Sequence, residues 1–440
     1  MRQNLKWLYP GLKVKRWLFL AILGFFLLGL GFLLVTRIAV LVFWIAWLKN
    51  FISEWLGRWP ARLLGWFFML LGVFLLAFGF KKMLESILYV IIPENNEKLV
   101  DIIYSRRSLQ KGPKIVAIGG GTGLPVVLRG LKQYTSNLTA IVNVADDGGS
   151  SGRLRGELGI LPPGDLRNCL VALADTEKIM EDILSYRFQQ GSGLTGHSMG
   201  NLLLAGLTEL TGDSHTAIRE LSRVLALRGK VLPATLTPTV LGAEMADGEI
   251  VMGESRIPRQ GKPIRRVFLE PPDCRALEEA LLAIKEADLV VLSPGSLYTS
   301  IIPNLLVREI AAALAETPAL VVYVCNVMTQ PGETNGYTAS DHLQAIIRHA
   351  GRDVVDLVIV NTAKVSPLAL GKYREEGAEP VLVDYREIGK LGVKVVGEKL
   401  IDHAAVVRHN PDRLAKVLLK LVFARKNRRE KVSCKINCRI

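Results

Sequence analysis

The stretch Lys114–Arg155 reads KIVAIGGGTGLPVVLRGLKQYTSNLTAIVNVADDGGSSGRLR. It begins with a short apolar β-branched run, which predicts a buried strand, and the glycine loop Gly119–Gly123 follows directly. A helical apolar period comes next, and a second apolar run then ends at Asp146 and Asp147. A strand, a glycine loop, a helix and a second strand with a carboxylate-bearing end are typical of a nucleotide-binding α/β unit.

Strand-like and helical patterns continue to alternate along the rest of this region. Beyond Lys114–Ile118 and Leu138–Val144, apolar runs predict strands at Asp288–Leu292, Leu320–Cys325, Asp356–Val360 and Pro380–Asp384. The residues from about 175 to 230 have mostly helical periods. This alternation predicts an α/β fold whose mainly parallel sheet carries helices on both faces.

Two uncharged apolar segments, Trp17–Val35 and Leu63–Phe80, precede the α/β region. Each is about long enough to cross a hydrocarbon core of ~30 Å as a helix. A cleaved signal peptide is the alternative for the first, but its apolar stretch is too long and no small-residue cleavage site follows. Lys and Arg outside both segments predict a hairpin with both ends in the cytoplasm. We therefore predict a membrane-anchoring region at 1–92, with helices at about 17–35 and 63–80, a linker at 93–112, the main domain at 113–424 and a basic tail at 425–440.

The net charge of +14 is concentrated at the two ends of the chain. Residues 1–112 carry 15 Lys and Arg against 5 Asp and Glu, residues 425–440 carry 7 against 1, and the 113–424 region has a net charge of −2. The basic ends are suited to anionic lipid, and the slightly acidic main domain argues against a nucleic-acid partner. The cell membrane, with the main domain on its cytoplasmic side, is the expected location.

The glycine loop is suited to a phosphate group, because backbone N–H groups at a helix start attract anions. Its spacing is not that of dinucleotide-binding loops, since Leu124 and Val126 stand where a third glycine is needed, and no Walker A motif follows. An NAD-dependent oxidoreductase is therefore disfavoured. A tight glycine turn without a ligand is the other interpretation.

Asp146 and Asp147 can take ribose hydroxyls or hold Mg²⁺ against a diphosphate. The following Gly148–Arg153 adds N–H groups, hydroxyls and a guanidinium, although an Asp-Gly turn alone explains the glycines. Asp165 is expected to be a helix N-cap. Gly196–Gly200 matches the G-x-S-x-G nucleophile elbow, but no strand precedes it, so we expect His197, Ser198 and Asn201 to be polar ligands instead.

Two further loops follow predicted strands and are rich in Gly, Ser, Thr and Asn. Ser293–Ser300 forms an anion nest in which Tyr298 offers a ring to a base or sugar, and Asn326–Thr334 follows the next strand. Because the ends of parallel strands meet at one edge of a sheet, these loops are expected to share one cleft with the glycine loop.

Several strings resemble the YvcK/CofD-like family, and within it the YvcK type: IGGGTGL (118–124), VADDGGSSGRLR (144–155), LPPGDLRNCL (161–170), GHSMGN (196–201), PGSLYTSIIPNLLV (294–307) and NVMTQPGET (326–334). They run through most of residues 113–363. Ser293 departs from the pattern, which usually has glycine there. The resemblance implies a Rossmann-like three-layer α/β sandwich, preceded here by the transmembrane hairpin. It also implies binding of a UDP-sugar such as UDP-N-acetylglucosamine and a role in cell shape and cell-wall precursor supply during gluconeogenic growth.

Carried over to this chain, the resemblance implies one nucleotide-sugar site with Mg²⁺ at Asp146 and Asp147. The residues expected to line it are Gly119, Gly120, Gly121, Thr122, Gly123, Asp146, Asp147, Gly148, Gly149, Ser150, Ser151, Arg153, Asn168, His197, Asn201, Gly295, Ser296, Tyr298, Thr299 and Asn326. A regulatory binding protein is expected. Its expected partners are further copies of itself in a homo-oligomer and cell-wall regulatory proteins. The alternative is a CofD-like, Mg²⁺-dependent phospholactyl-type transferase that uses a nucleotide-linked donor and the same two aspartates.

Overall fold

The computed structural model describes residues 14–36, 61–91, 107–175, 178–402 and 407–437. The chain forms two compact units, Met1–Ile102 and Ile103–Ile440. Residues 93–106 of the predicted linker lie outside the described residues, as do residues 438–440 of the predicted tail. The rest of that tail continues a long helix that begins at Pro411.

The first unit contains two apolar helices, α1 (Val14–Thr36) and α2 (Ala61–Ile91), which pack antiparallel. Their contact is made by backbone: a Cβ added at Gly72 would lie 2.5 Å from the Leu28 nitrogen, and one at Gly31 would lie 2.6 Å from the Gly65 oxygen. Small residues of this kind let helices approach closely where apolar side chains give no net driving force, as in lipid.

Both predicted apolar segments are thus helical. By length and composition, Leu63–Met83 is the described helix that can cross a membrane, and Arg16–Phe32 is a shorter apolar helix. Large apolar side chains such as Phe26 and Leu70 are exposed on this pair. Insertion of the pair into a membrane stays a prediction.

The second unit is built on a parallel sheet. Within the described residues, strands β1 to β10 span, in chain order, Ile115–Gly119, Leu138–Val142, Lys230–Pro233, Val240–Met245, Ile250–Met252, Ile264–Glu270, Leu289–Leu292, Leu320–Val324, Leu357–Asn361 and Lys394–Glu398. One sheet has the order β10-β9-β8-β7-β1-β2-β3, and each of its neighbouring pairs is parallel. A separate antiparallel sheet has the order β5-β4-β6.

Helices cover both faces of the parallel sheet and complete the predicted α/β sandwich. In chain order, the described helices α3 to α15 are Gly123–Leu131, Gly149–Leu158, Pro163–Leu173, Lys178–Ser185, Met199–Thr211, Ser214–Val224, Glu278–Glu286, Ile302–Leu306, Arg308–Glu316, Ala339–Ala350, Pro367–Glu375, Tyr385–Lys390 and Pro411–Asn437. Alternate residues of β1 point into different cores: Val116 and Ile118 into one, Ile115 and Ala117 into the other. The near-continuous apolar strands are explained by this burial on two faces.

One predicted strand is wrong. Pro380–Asp384 makes only isolated bridges, Met328 to Pro380 and Thr338 to Leu382, and Leu382 is 67% exposed. A short apolar run predicts a strand by composition, but here the run crosses the loops beyond the sheet and makes only single bridges with them. The edge strands β3 and β10 and the antiparallel sheet were not predicted. In the antiparallel sheet, polar residues such as Glu244 and Arg266 interrupt the apolar runs.

We predict opposite effects for two helical glycines. A Cβ at Gly130 of α3 would lie 2.2 Å from the Pro411 carbonyl oxygen at the start of α15, whereas one at Gly371 of α13 meets nothing within 4 Å. Gly130→Ala should therefore lower the free energy of unfolding by about 1–3 kcal/mol through overpacking. Gly371→Ala should raise it by about 0.5–1 kcal/mol through helix propensity. Urea unfolding followed by circular dichroism measures both, and equal shifts for the two variants would contradict the close helix contact.

Candidate functional site

The glycine loop lies at the carboxyl end of β1 and is fixed by backbone contact with the loop after β7. A Cβ at Gly123 would lie 1.7 Å from the Pro294 carbonyl oxygen, and one at Gly119 would lie 2.0 Å from the Ser293 hydroxyl. Gly121 has φ +60°, a conformation that favours glycine. These glycines are therefore required by packing and chain direction, in addition to any contact with a ligand.

One N–H group of this loop is bound by the protein itself. The Gly121 N–H donates to the Asp165 carboxylate at 2.7 Å. Asp165 is not the N-cap of α5, as the sequence predicted, because the cap residue is Pro162 and Asp165 lies in the first turn. Burial raises the pKa of Asp165 to about 6. The Gly121 hydrogen bond opposes this shift, and the negative charge of Asp146 adds to it. The carboxyl group of Asp165 thus connects the glycine loop to the first turn of α5.

Asp165 belongs to a cluster of four carboxyl groups with Asp146, Asp147 and Glu254. The Asp146 Oδ1 accepts the Gly148 N–H at 2.9 Å, and the Asp147 Oδ1 accepts the Ser255 N–H at 2.8 Å. Burial raises the pKa of Asp146 and, together with the charges of the three aspartates, raises the pKa of Glu254 to about 8. Glu254 follows β5 and was missed in the sequence, because it stands far from every motif and no local pattern marks it.

The predicted Mg²⁺ site can be tested against these contacts. Within the described residues, no group of three or more His, Cys, Asp and Glu side chains is arranged to hold a metal ion by itself. Asp146 and Asp147 each use one oxygen to fix the loop backbone, and Asp146 is also hydrogen-bonded to the Ser151 side chain. Two carboxylates fit Mg²⁺ when phosphate oxygens complete its coordination. The raised pKa values of their buried neighbours show negative charge that a divalent cation would offset.

A buried hydrogen-bond chain joins the Asp-Gly loop to the start of α7. The Asn201 Nδ2 donates to the Ser150 hydroxyl at 3.0 Å, and that hydroxyl lies 2.9 Å from the His197 Nδ1. Burial, followed by the charge of Arg153, lowers the pKa of His197, which favours the neutral ring. The Ser198 hydroxyl caps α7 by accepting the Asn201 N–H at 3.2 Å and is fully buried, which rules it out as an exposed nucleophile.

Arg155 and Arg167 lie close enough to the carboxyl cluster to interact with its charges, and each has a donor without a partner. The Arg155 Nη2 donates to the Thr239 carbonyl at 2.6 Å, while its buried Nη1 has no partner. The Arg167 Nη2 donates to the Asn168 Oδ1 at 2.6 Å, while its buried Nε has none. Arg153 is bound to the Thr195 carbonyl at 2.8 Å. Unpaired guanidinium donors beside the carboxyl cluster are suited to phosphate oxygens.

The loops after β7 and β8 are tied to each other. The Gly295 N–H donates to the Asn326 Oδ1 at 2.9 Å, and the Asn326 Nδ2 donates back to the Gly295 carbonyl at 2.7 Å. The Ser296 hydroxyl donates to Gln330 at 2.7 Å, and the Thr299 hydroxyl donates to Glu333 at 3.1 Å. These contacts fix the positions of the two predicted binding loops relative to each other.

The expected role of Tyr298 as a stacking surface is wrong. Its side chain is 0% exposed, its hydroxyl lies 2.8 Å from that of Tyr337, and its ring packs edge-on against His349 at 5.7 Å. The residue lies in a short π-helix whose side chains turn into the core. Composition alone does not show this orientation.

A cavity of about 150 Å³ opens between the glycine loop and the tied loops. Its lining includes the predicted residues Thr122, Gly123, Gly295 and Asn326, and also Val126, Pro294, Val327, Met328, Tyr373, Val407, Arg408 and His409. The buried His409 Nε2 has no partner, and burial lowers the pKa of this ring to about 4, so it is neutral. Tyr373, Arg408 and His409 were missed in the sequence because they stand outside the glycine-rich strings.

The predicted residues therefore form two neighbouring groups. Thr122, Gly123, Gly295 and Asn326 border the cavity. Asp146, Asp147, Gly148, Ser150, Ser151, His197 and Asn201 lie around the carboxyl cluster, where the Ser151 hydroxyl accepts the Gly164 N–H. The glycine loop belongs to both, since Gly123 lines the cavity and Gly121 is bound to Asp165.

We predict a pH-dependent effect of Asp165→Asn. The pKa of Asp165 is raised from 3.8 to about 6 in the folded state, so its contribution to stability is complete below about pH 4 and is lost as the pH rises through about 6. The free energy of unfolding of the variant minus that of the wild type should therefore rise by about 2–3 kcal/mol from pH 4 to pH 7. Urea unfolding in EDTA measures this difference. A difference that does not change with pH would contradict the buried, raised carboxyl.

Asp213→Asn is the matched control, because Thr216 hydrogen bonds lower the pKa of this exposed N-cap carboxylate. A lowered pKa gives stability that is present above the unfolded value and lost as the pH falls. The control variant should therefore lose stability relative to the wild type as the pH rises, the opposite trend.

Comparison with known proteins gives consistent matches. The family model described as 2-phospho-L-lactate transferase CofD matches residues 115–401. The gluconeogenesis factor of Bacillus subtilis is 51% identical over 311 residues, which are 70% of this chain and 98% of the relative. A relative from Nostoc sp., also named as a gluconeogenesis factor, is 48% identical over 423 residues, 96% of this chain and 93% of its own.

A solved structure supports the same fold. The crystal structure of a UPF0052 family protein from Bacillus halodurans has a TM-score of 0.68 and 53% identity, and covers 70% of this chain and 99% of that one. The Nostoc match is long enough to include both N-terminal helices as well as the α/β unit. The strings that resemble this family in the sequence, the seven-stranded parallel sheet and these matches agree, and the chain belongs to the CofD family, among relatives named gluconeogenesis factors.

Proposed function

We propose that this protein binds a UDP-sugar, with UDP-N-acetylglucosamine as the first candidate, and acts as a regulator rather than as an enzyme. The observation that carries the proposal is the pair of neighbouring sites on the two sides of the glycine loop. One is a small cavity with a neutral, unpartnered His409, and the other is a carboxyl cluster flanked by unpaired arginine donors. A ligand with a base at one end, a diphosphate in the middle and a polar sugar at the other fits this arrangement.

The cavity supports a uridine rather than a guanosine nucleotide. Its volume of about 150 Å³ and its mixed lining suit a single-ring base, with the unpartnered His409 Nε2 available for a hydrogen bond to the base edge. The diphosphate would then pass the glycine loop toward Arg155 and Arg167. Mg²⁺ held by Asp146 and Asp147 would neutralise phosphate charge there.

At the other end, the sugar would meet the polar chain of Ser150, His197 and Asn201. With its proton on Nε2, the His197 ring would be a donor there, and the buried Asn201 Oδ1 is an acceptor without a partner. A donor and an acceptor at fixed positions suit the hydroxyl and amide groups of an N-acetylated sugar.

The cellular part of the proposal follows from the relatives and from the first unit. The relatives carry gluconeogenesis-factor names, and we extend to this chain a role in cell shape and cell-wall precursor supply during growth on gluconeogenic carbon. The apolar helices α1 and α2 would hold the α/β unit at the cytoplasmic face of the cell membrane. Homo-oligomers and cell-wall regulatory proteins are the proposed partners.

Calorimetry of the full chain in neutral detergent tests the ligand. With Mg²⁺ present, UDP-N-acetylglucosamine should bind more tightly than GDP or NAD by about tenfold or more, which is about 1.4 kcal/mol. EDTA and Asp147→Asn should both weaken the binding, because both remove the bridge between carboxylate and phosphate. Equal affinity for the three nucleotides, or no binding of the UDP-sugar at millimolar concentration, would exclude the proposal.

A second prediction concerns the unpaired Nη1 of the Arg155 guanidinium. Arg155→Gln should weaken UDP-sugar binding by roughly tenfold, because a charge-assisted hydrogen bond to phosphate is lost. Arg228→Gln is the control, since Arg228 is already paired with Asp175 at 2.8 Å on another part of the surface. Equal losses in the two variants would assign the effect to net charge and not to the site.

A transferase remains the second candidate, and the carboxyl cluster favours it. Glu254, with a pKa of about 8, and Asp165, with a pKa of about 6, titrate close to neutral pH, where general acids and bases work best. If the protein is a transferase, phosphorus NMR of the full chain with Mg²⁺, a guanylyl-linked phospholactyl donor and a deazaflavin acceptor should show resonances of the released nucleotide and of the new phosphodiester, and Glu254→Gln should abolish them. An unchanged spectrum supports the regulatory proposal.

A further inference from the structure

Helices α6 and α7 pack against each other as a hairpin. The chain between them is closed by a bridge between Arg187 and Ser198 and by a bond from the Met199 N–H to the Tyr186 carbonyl at 2.8 Å. Asn201, in the first turn of α7, belongs to the candidate site through its side-chain hydrogen bond. The hairpin therefore connects that site with the outer surface of the second unit.

Helix α7 is apolar on its outward side as well as on its inward side. Its sequence MGNLLLAGLTELT contains one charged residue, Glu209. A helix that is apolar all round is ordinarily buried. Leu204 is buried here, but Met199, Leu203 and Leu210 are exposed, Leu210 by 81%. The outward side of α7 thus has the composition of an interface rather than that of a free surface.

The exposed apolar side chains of the hairpin are aligned. On α7 they are separated by four and by seven positions, and on α6 by four, with Tyr186 three positions further. Residues at these spacings lie on the same side of a helix. We call the exposed set the hairpin face: Ile179, Ile183, Tyr186, Met199, Leu203 and Leu210. Their exposed fractions amount to on the order of 600 Å² of apolar surface, close to the ~800 Å² that each partner buries in a standard interface.

A glycine lies in the middle of the aligned residues on α7. Gly206 stands between Leu203 and Leu210, and a Cβ added there would meet nothing within 4 Å. Glycine inside a helix is less stable than alanine, and no contact within the described part of the chain accounts for its use here. The close approach of another helix does account for it, because two helices come nearest where the side chain at their contact is smallest.

We infer that two copies of this chain meet through the hairpin face, with their α7 helices crossing at Gly206 about a two-fold axis. In a two-fold interface the same patch serves both partners, so a residue near the axis contacts its own copy. Leu203 and Leu210 of each copy would then pack on either side of the other copy's glycine. The inference rests on the homo-oligomer of the proposed function and locates its interface, and it does not depend on the identity of the ligand.

The charges around the hairpin face argue against a lipid surface as its occupant. The charged residues of α6 and α7 are one lysine, Lys178, against three carboxylates, Glu181, Asp182 and Glu209. The hairpin therefore has a net negative charge, and the anionic leaflet of a membrane would repel it. A second copy of the same chain has no such excess of anionic headgroups and offers a matching apolar area.

Analytical ultracentrifugation of the full chain in neutral detergent tests the inference. The wild type should sediment as a dimer, and Leu203→Lys/Leu210→Lys should raise the dissociation constant by about tenfold or more, because charge is placed in the centre of an apolar contact. Leu368→Lys/Leu382→Lys is the matched control, since both leucines are exposed outside the hairpin, and it should keep the wild-type value. Both variants retain α1 and α2, so a dimer held by those helices would respond to neither.

Gly206→Gln separates loss of the interface from loss of the fold. The new side chain displaces nothing within one chain and improves helix propensity, so the melting temperature of the dilute protein should rise. The same change fills the space that the partner helix needs and should weaken the dimer by roughly tenfold. A lower melting temperature together with an unchanged dimer would contradict both parts of this expectation.

Cysteine cross-linking locates the axis. In a Cys434→Ser/Cys438→Ser background, oxidation with copper phenanthroline should link Gly206→Cys to its own copy. Gly371→Cys should stay unlinked, although Gly371 is also an exposed helical glycine with nothing within 4 Å of an added Cβ.

The possible results separate this inference from the proposed function. Equal weakening by the two lysine double variants, or equal cross-linking at the two glycine positions, would overturn the inference and leave the homo-oligomer intact. A monomer at every concentration would overturn both. A monomer whose Gly206→Cys thiol is shielded from a maleimide only in phosphatidylglycerol vesicles would also overturn the inference and assign the face to lipid.

Discussion

The contact on which the site depends is the approach of two backbones, where the glycine loop after β1 meets the loop after β7. At Gly119 and Gly123 there is no room for a side chain, because Ser293 and Pro294 occupy that space. This contact closes one wall of the cavity and fixes where α3 begins. The Asp165 carboxylate holds the loop from the other side through Gly121. The glycine loop thus separates the cavity from the carboxyl cluster, and these contacts hold it in place on both sides.

This arrangement also explains the unusual electrostatics of the site. Four carboxyl groups are gathered on one side of the loop, and the nearest arginines direct some of their donors to carbonyl groups and leave others unpaired. Buried charges without partners are costly, and the protein lowers that cost by raising the pKa values of Asp165 and Glu254. Cations and anions that remain unmatched in one place are complementary to a ligand that carries both phosphate and a metal ion.

The sequence predicted those parts of the structure that are governed by local pattern. β1, β2 and β7 to β9 follow from apolar β-branched runs, and the shared cleft follows from polar loops at parallel strand ends. Three kinds of feature could not be predicted, for different reasons. The roles of Asp165 and Glu254 depend on contacts between residues distant in the chain. Tyr298 points inward because of a local π-helix, and Tyr373 and His409 reach the cavity only through the fold of the whole sheet.

The paired glycines of α1 and α2 have a consequence for the geometry of the first unit. Gly24 and Gly31 in one helix, and Gly65, Gly72 and Gly79 in the other, recur every seventh residue. Seven residues are two helical turns, or about 10 Å of axial rise. A slip of one turn would bring a large side chain against a backbone that has space only for hydrogen. The glycines of the two helices therefore match again only when the alignment shifts by two turns, so this spacing fixes the register of the helix pair.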